Sequence, residues 1–184
     1  MAYLTNPQFG GMQRPTLAQL RKLAGVANYQ FGTGVGQALF NNKVRIECSR
    51  RTGRIRHIYR GGHLVATLRP TDGYLALTLD GADILLSKIK NPRNVVVVQN
   101  DVSEAVRIGG DVFAKHVAHS DPNIRPAEEV IVIDQGKDLV GVGRAVLSGR
   151  EMMHFKRGVA VKLRRGIDQA SGKEPARDAE SDYG

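Results

Sequence analysis

A chain of 184 residues with a formal charge of +9 and a pI near 10.0 has room for one or two small domains, each with its own core. It is too short for a catalytic α/β barrel of about 250 residues. One cysteine, Cys48, excludes an internal disulfide and suggests a reducing compartment. The start Met-Ala-Tyr-Leu-Thr-Asn-Pro lacks a signal-peptide layout, and no apolar run approaches the roughly 18 residues of a membrane span. A cytoplasmic protein without a membrane partner is expected. The charge surplus points to a polyanion, because a nucleic acid or an anionic membrane would relieve the self-repulsion it stores.

In chain order, residues 1–14 hold Pro7, Gly10 and Gly11 and no periodic pattern, so they read as a loop or arm. Thr16-Leu-Ala-Gln19 is a capping-box pattern opening a helix over about 17–28, whose apolar stripe is Leu17, Leu20, Leu23, Ala24 and Ala27. In Tyr29–Phe40 the alternating Gly32, Gly34 and Gly36 do not have the spacing or the preceding strand of a dinucleotide site, so a turn entering a short helix at 35–40 is expected. Residues 43–49 and 54–59 alternate around Gly53 as a hairpin. Strands follow at 63–68 and 74–79, and 81–86 begins a short helix or extended segment. Proline and asparagine in Lys90-Asn-Pro-Arg-Asn94 interrupt the apolar patterns and mark a joint. The first domain, 1–90, is thus α+β with an antiparallel sheet.

Beyond the joint, Val95–Val98, Glu128–Asp134, Leu139–Leu147 and Gly158–Arg165 are short β-type runs that suggest a small, nearly closed sheet over 94–166. Between them Arg107-Ile-Gly-Gly-Asp-Val-Phe-Ala-Lys115 reads as a helix end, a glycine turn and a strand start. In the last run, a period of two turns Val159, Val161 and Leu163 inward and Ala160, Lys162 and Arg164 outward. From Asp168 onward five carboxylates face two cations, a balance of −3, which leaves +12 for the rest. Residues 167–184 are expected to be a disordered acidic tail.

The order helix, Gly109-Gly110 turn, Val112-Phe-Ala-Lys115, then Val140-Gly-Val-Gly143 and the closing Gly158-Val-Ala-Val-Lys-Leu-Arg164 resembles a PUA domain, a small β-barrel that binds RNA. With Asp121-Pro-Asn-Ile-Arg-Pro126 and Ser148-Gly-Arg-Glu-Met152, the form is similar to the one that ends archaeal archaeosine tRNA-guanine transglycosylases. The first half resembles the domain before it in those enzymes, through Asn28-Tyr-Gln-Phe-Gly32, Thr52-Gly-Arg-Ile-Arg56 and Ala66-Thr-Leu-Arg-Pro-Thr-Asp-Gly73. The resemblance implies tRNA as ligand and archaeosine-type modification as the process. In those transglycosylases catalysis resides in a barrel that this sequence lacks, so it implies a non-catalytic component, working with a separately encoded transglycosylase catalytic subunit. It also points to Arg107, Gly109, Gly110, Lys115, Lys162 and Arg164 as RNA contacts.

Charge alone adds Arg165, Lys156 and Arg157 to that patch, and Arg50, Arg51, Arg54 and Arg56 to a ridge on the hairpin, since arginine forks match phosphate oxygens. The two surfaces are expected to lie on one side. A solvated ridge and a glycine turn that merely ends its helix are the plainer readings. Phe113, Met152, Met153 and Phe155 read as core in preference to base-stacking groups. No cofactor is expected. The histidines at 57, 63, 116, 119 and 154 are scattered, so no metal site is expected either. Two other functions stay open: a subunit docking an acidic protein partner, and a standalone RNA-modifying enzyme.

Overall fold

The computed structural model describes residues 11–41 and 43–169. The first unit begins with β1 (Met12–Gln13), α1 (Leu17–Phe31) and α2 (Val35–Leu39). It continues with β2 (Val44–Cys48), β3 (Ile55–Arg60), β4 (His63–Leu68), β5 (Leu75–Leu77) and α3 (Leu79–Lys88). These five strands form an antiparallel sheet in the order β1-β2-β3-β4-β5. Helix α1 starts at the expected capping box, with the Gln19 amide donating to Thr16 Oγ1 at 3.2 Å and the Thr16 amide to Gln19 Oε1 at 2.8 Å. It runs three residues past the expected end because Gln30 and Phe31 are buried. The Gln30 carboxamide clamps both backbone groups of Leu75, accepting at 2.7 Å and donating at 3.1 Å, which fixes the helix end to β5. Strand β5 is shorter than expected because Thr78 caps α3, accepting from the Gly81 amide.

The second unit comprises β6 (Val95–Val98), α4 (Asn100–Arg107), β7 (Val112–Phe113), β8 (Val117–Ser120), β9 (Glu129–Asp134), β10 (Leu139–Ala145), α5 (Gly149–His154) and β11 (Val159–Gly166). Its sheet order is β7-β11-β10-β9-β6-β8. The two outermost strands, β7 and β8, are separated in the chain only by a 3-10 turn at Ala114–His116, so the sheet must curl almost closed. Helix α5, absent from the sequence reading, has its own capping box: the Glu151 amide donates to Ser148 Oγ and the Ser148 amide to Glu151 Oε2. The Ser148 amide and, at 2.7 Å, its hydroxyl both donate to the Glu151 carboxylate and hold it below the usual glutamate range.

The alternation expected in the closing strand is broken. Register shifts against β7 and β10 bury Ala160 beside Val161 and leave Val159 and Leu163 only half-buried.

The joint at 90–94 is not a loose linker. The Arg93 amide donates to the Phe31 carbonyl at 2.8 Å, and buried Asn94, with φ 59°, donates from Nδ2 to the Glu129 carbonyl. Strand β9 faces two cores at once. Ile131 and Ile133 join α1, α2, α3 and the first sheet, while Val130 and Val132 pack into the barrel. Period two along one strand therefore serves both units, which explains its unbroken apolar run.

Candidate nucleic-acid interface

Helix α4 ends where Gly109 takes φ 112°, a region costly for any residue with a Cβ. Its amide donates to the Val106 carbonyl and that of Gly110 to the Ala105 carbonyl, both at 2.9 Å. The glycine turn thus terminates the helix, and both amides are occupied by it. What the glycines leave is shape, a groove of about 260 Å³ lined by Val102, Ala105, Gly110, Asp111, Phe113 and His116. Gly166, at the end of β11, allows that strand to lie against the last carbonyls of α4, for a Cβ there would overlap the carbonyl oxygens of Val106 and Arg107.

The expected cations divide into two groups. Among the described residues, carboxylates are seen to hold Arg107, Lys162 and Arg164. Arg107 Nε donates to Asp168 at 2.6 Å, a bond that keeps its guanidinium more firmly protonated than usual. Lys162 Nζ donates to Asp111 at 2.8 Å while keeping most of its side chain in solvent. Arg164 donates to Glu129 at 2.8 Å and to the Leu77 carbonyl of the first unit. Arg165 is half-buried on the same strand. Lys115, on the 3-10 turn, is exposed, as are Arg50, Arg51, Arg54 and Arg56 around the loop joining β2 to β3.

The acidic partners Asp111, Glu129 and Asp168 were not legible in the sequence as site residues, since each lies far along the chain from the cation it meets. Glu129 is the most constrained of them. Its side chain is 6% exposed, with Arg164 on one side and Arg69 of the first unit on the other at 3.5 Å. Burial pushes its carboxyl above the usual range, and the arginines offset part of that rise. Arg164 therefore joins the two units as well as standing near the patch. The first residues of the expected tail fold back too: Ile167 bonds to Val140 and the Asp168 amide to the Arg107 carbonyl. The rest of that tail, 170–184, lies outside the described residues.

Among the described residues no group of three or more His, Cys, Asp or Glu is placed to hold a metal ion, and no helix is long and apolar enough to cross a membrane. Of the four candidate core residues, only Met152 is buried. Phe113 is exposed on the edge strand β7, and Met153 and Phe155 are exposed because α5 is amphipathic and ends before the chain re-enters the sheet.

Residues 21–92 match the patch-forming domain C2 of tRNA-guanine transglycosylase, and residues 94–167 match the PUA domain. The chain carries a transglycosylase-type C2 domain followed by a PUA domain. The same pair aligns with the C-terminal region of archaeal tRNA-guanine(15) transglycosylases. The chain is 41% identical to that of Methanothermobacter thermautotrophicus over 159 residues, covering 86% of this chain and 24% of that protein. It is 42% identical to that of Pyrococcus furiosus over 144 residues, covering 78% and 24%. The chain thus spans about a quarter of the length of the curated relatives it matches. A conserved PUA domain protein from Thermoplasma acidophilum shares the fold of the C2–PUA pair, with a TM-score of 0.62 at 19% identity over 87% of this chain and 96% of that one. So does a hypothetical protein of Pyrococcus horikoshii OT3, with a TM-score of 0.68 at 17% identity over 86% and 96%.

Proposed function

We propose that the C2–PUA chain is a cytoplasmic tRNA-binding component of archaeosine-type modification, with base exchange performed by a transglycosylase catalytic subunit. The observation that carries this reading is the collinear match of both domains to tRNA-guanine(15) transglycosylases at about 40% identity. The site chemistry supports it. A groove beside a glycine-ended helix, whose lining residue Asp111 holds Lys162 and whose lining residues Val106 and His116 adjoin Arg107 and Lys115 in the chain, suits a sugar-phosphate backbone that is read by shape, since A-form RNA hides its base edges in a deep groove. Arg107 and Lys162 would exchange Asp168 and Asp111 for phosphate oxygens, an exchange their exposed ion pairs allow at little cost. The hairpin arginines Arg50, Arg51, Arg54 and Arg56 would follow phosphates elsewhere on the same RNA. Arg164 and Arg165 would act from the closing strand, Arg164 chiefly by holding that strand to the first unit.

Fluorescence anisotropy with a tRNA transcript across a salt titration tests this. Binding should weaken steeply with salt, and Lys115→Ala should flatten the slope by about one. Binding no tighter to tRNA than to polyglutamate, or a Lys115→Ala slope equal to the parent's, would refute the assignment. Turnover of labelled guanine by the purified chain alone would overturn its non-catalytic role.

A further inference from the structure

We infer that residues 167–169, which follow the closing strand, are an internal competitor for RNA: Asp168 holds on Arg107 the place a phosphate would take, and RNA engages Arg107 and the glycine turn only as this clasp lifts. The inference rests on the RNA-binding reading and adds a control of that same site. Each residue of the clasp is tied down as it crosses the end of α4. The Ile167 amide donates to the Val140 carbonyl at 3.0 Å, the Asp168 amide to the Arg107 carbonyl at 2.9 Å and the Gln169 amide to the Gly166 carbonyl at 3.2 Å. Arg107 Nε donates to the Asp168 carboxylate at 2.6 Å, so backbone and side chain of Asp168 are both bound to Arg107. Gln169 lies over the turn, since a Cβ built on Gly109 would meet its carboxamide at 3.1 Å.

The fold has little need of these contacts. Helix α4 is already stopped by the Gly109 and Gly110 amides, and Gly166 already brings β11 against the helix end. The clasp buries little of itself, with Ile167 38% exposed and the Asp168 side chain 53%. A segment with few buried apolar contacts opens locally at low cost. What it changes is access to a cation. From Met152 to Ile167 the chain contains no acidic residue, and the first carboxylate after that stretch lands on Arg107. Carboxylate and phosphate offer a guanidinium the same kind of acceptor, so the two compete for one donor. An isolated anion competes poorly, because Asp168 is tethered beside Arg107 at a high effective concentration. A polyanion that also meets Lys115 and Lys162 is tethered in its turn and displaces the clasp. The site is thereby reserved for RNA with several phosphates in place.

The test uses the full chain, a tRNA transcript and two charge-matched variants, Asp168→Asn and, on the exposed face of α3, Asp83→Asn. Asp168→Asn should tighten tRNA binding by about threefold more than Asp83→Asn does, the scale of an exposed ion pair. Its salt slope should steepen by about one, because Arg107 then carries a counterion that RNA releases, whereas in the parent Asp168 already neutralises it. In an Arg107→Ala background the two substitutions should have equal effects. The parent supplies a measurement that does not depend on a variant folding: hydrogen exchange at the Asp168 and Gln169 amides should quicken when tRNA is added. A parent that binds no tRNA defeats the RNA-binding reading and the inference with it. A parent that binds tRNA while Asp168→Asn gains no more than Asp83→Asn, or whose two amides exchange no faster with tRNA, overturns the inference and spares that reading.

Discussion

Replacing Arg164 with alanine tests whether this residue is part of the fold before it is part of any RNA contact. In the native chain its guanidinium donates to Glu129 at 2.8 Å and also reaches the Leu77 carbonyl across the domain junction. Removing one partner of a buried ion pair costs about 3–5 kcal/mol because the other charge is left uncompensated. Here Arg164 is 37% exposed and Arg69 remains at 3.5 Å, so solvent screening and the second arginine reduce the expected loss to about 2 kcal/mol. For a domain pair of this size that corresponds to a melting point lowered by about 4–8 °C. The loss should depend on pH with a defined sign. The Glu129 carboxyl is raised by burial, so its contribution is full below the ordinary glutamate value of about 4.3 and declines as pH rises through the raised folded value. Removing Arg164 raises that value further. The deficit of the variant should therefore be larger at about pH 7 than at about pH 4. Calorimetric or circular-dichroism melts of parent and variant at both pH values measure it. A melting point within about 1 °C of the parent at neutral pH, or a deficit that does not shrink in acid, would refute the reasoning.

Three further outcomes are expected. Gly166→Ala should destabilise the chain by about 1–3 kcal/mol and weaken tRNA binding, because its Cβ would push β11 off the end of α4; chemical denaturation and anisotropy on the same sample would show both. Ile131→Ala should cost about 2–5 kcal/mol and shift one cooperative transition, since Ile131 packs into the first core from a strand of the second sheet; two separated transitions would contradict the shared core. Thr16→Ala should lower stability by about 1 kcal/mol in urea titrations without changing RNA affinity, for it removes a helix cap remote from the groove.

Much of the secondary structure followed from short-range physics that the chain displays openly. The Thr16 capping box, the Lys43–Arg60 hairpin with its period of two, the four-valine strand β6 and the Gly109-Gly110 helix stop all depend on residues within a few positions of one another. The same kind of signal was present at Ser148 and Glu151, where a capping box marks the helix that turns Met153 and Phe155 outward. The family resemblance supplied the order of the two domains and the expectation of an RNA ligand. It did not reveal which cations are already engaged. That depended on carboxylates such as Asp111, Glu129 and Asp168, which meet Lys162, Arg164 and Arg107 only after the barrel closes. The joint at 90–94 was likewise visible as a break in pattern, but β9 showed it to be a shared core. A strand with both faces apolar states that it will be buried twice, and only the tertiary structure decides what lies against each face, because that depends on contacts between residues far apart in the chain.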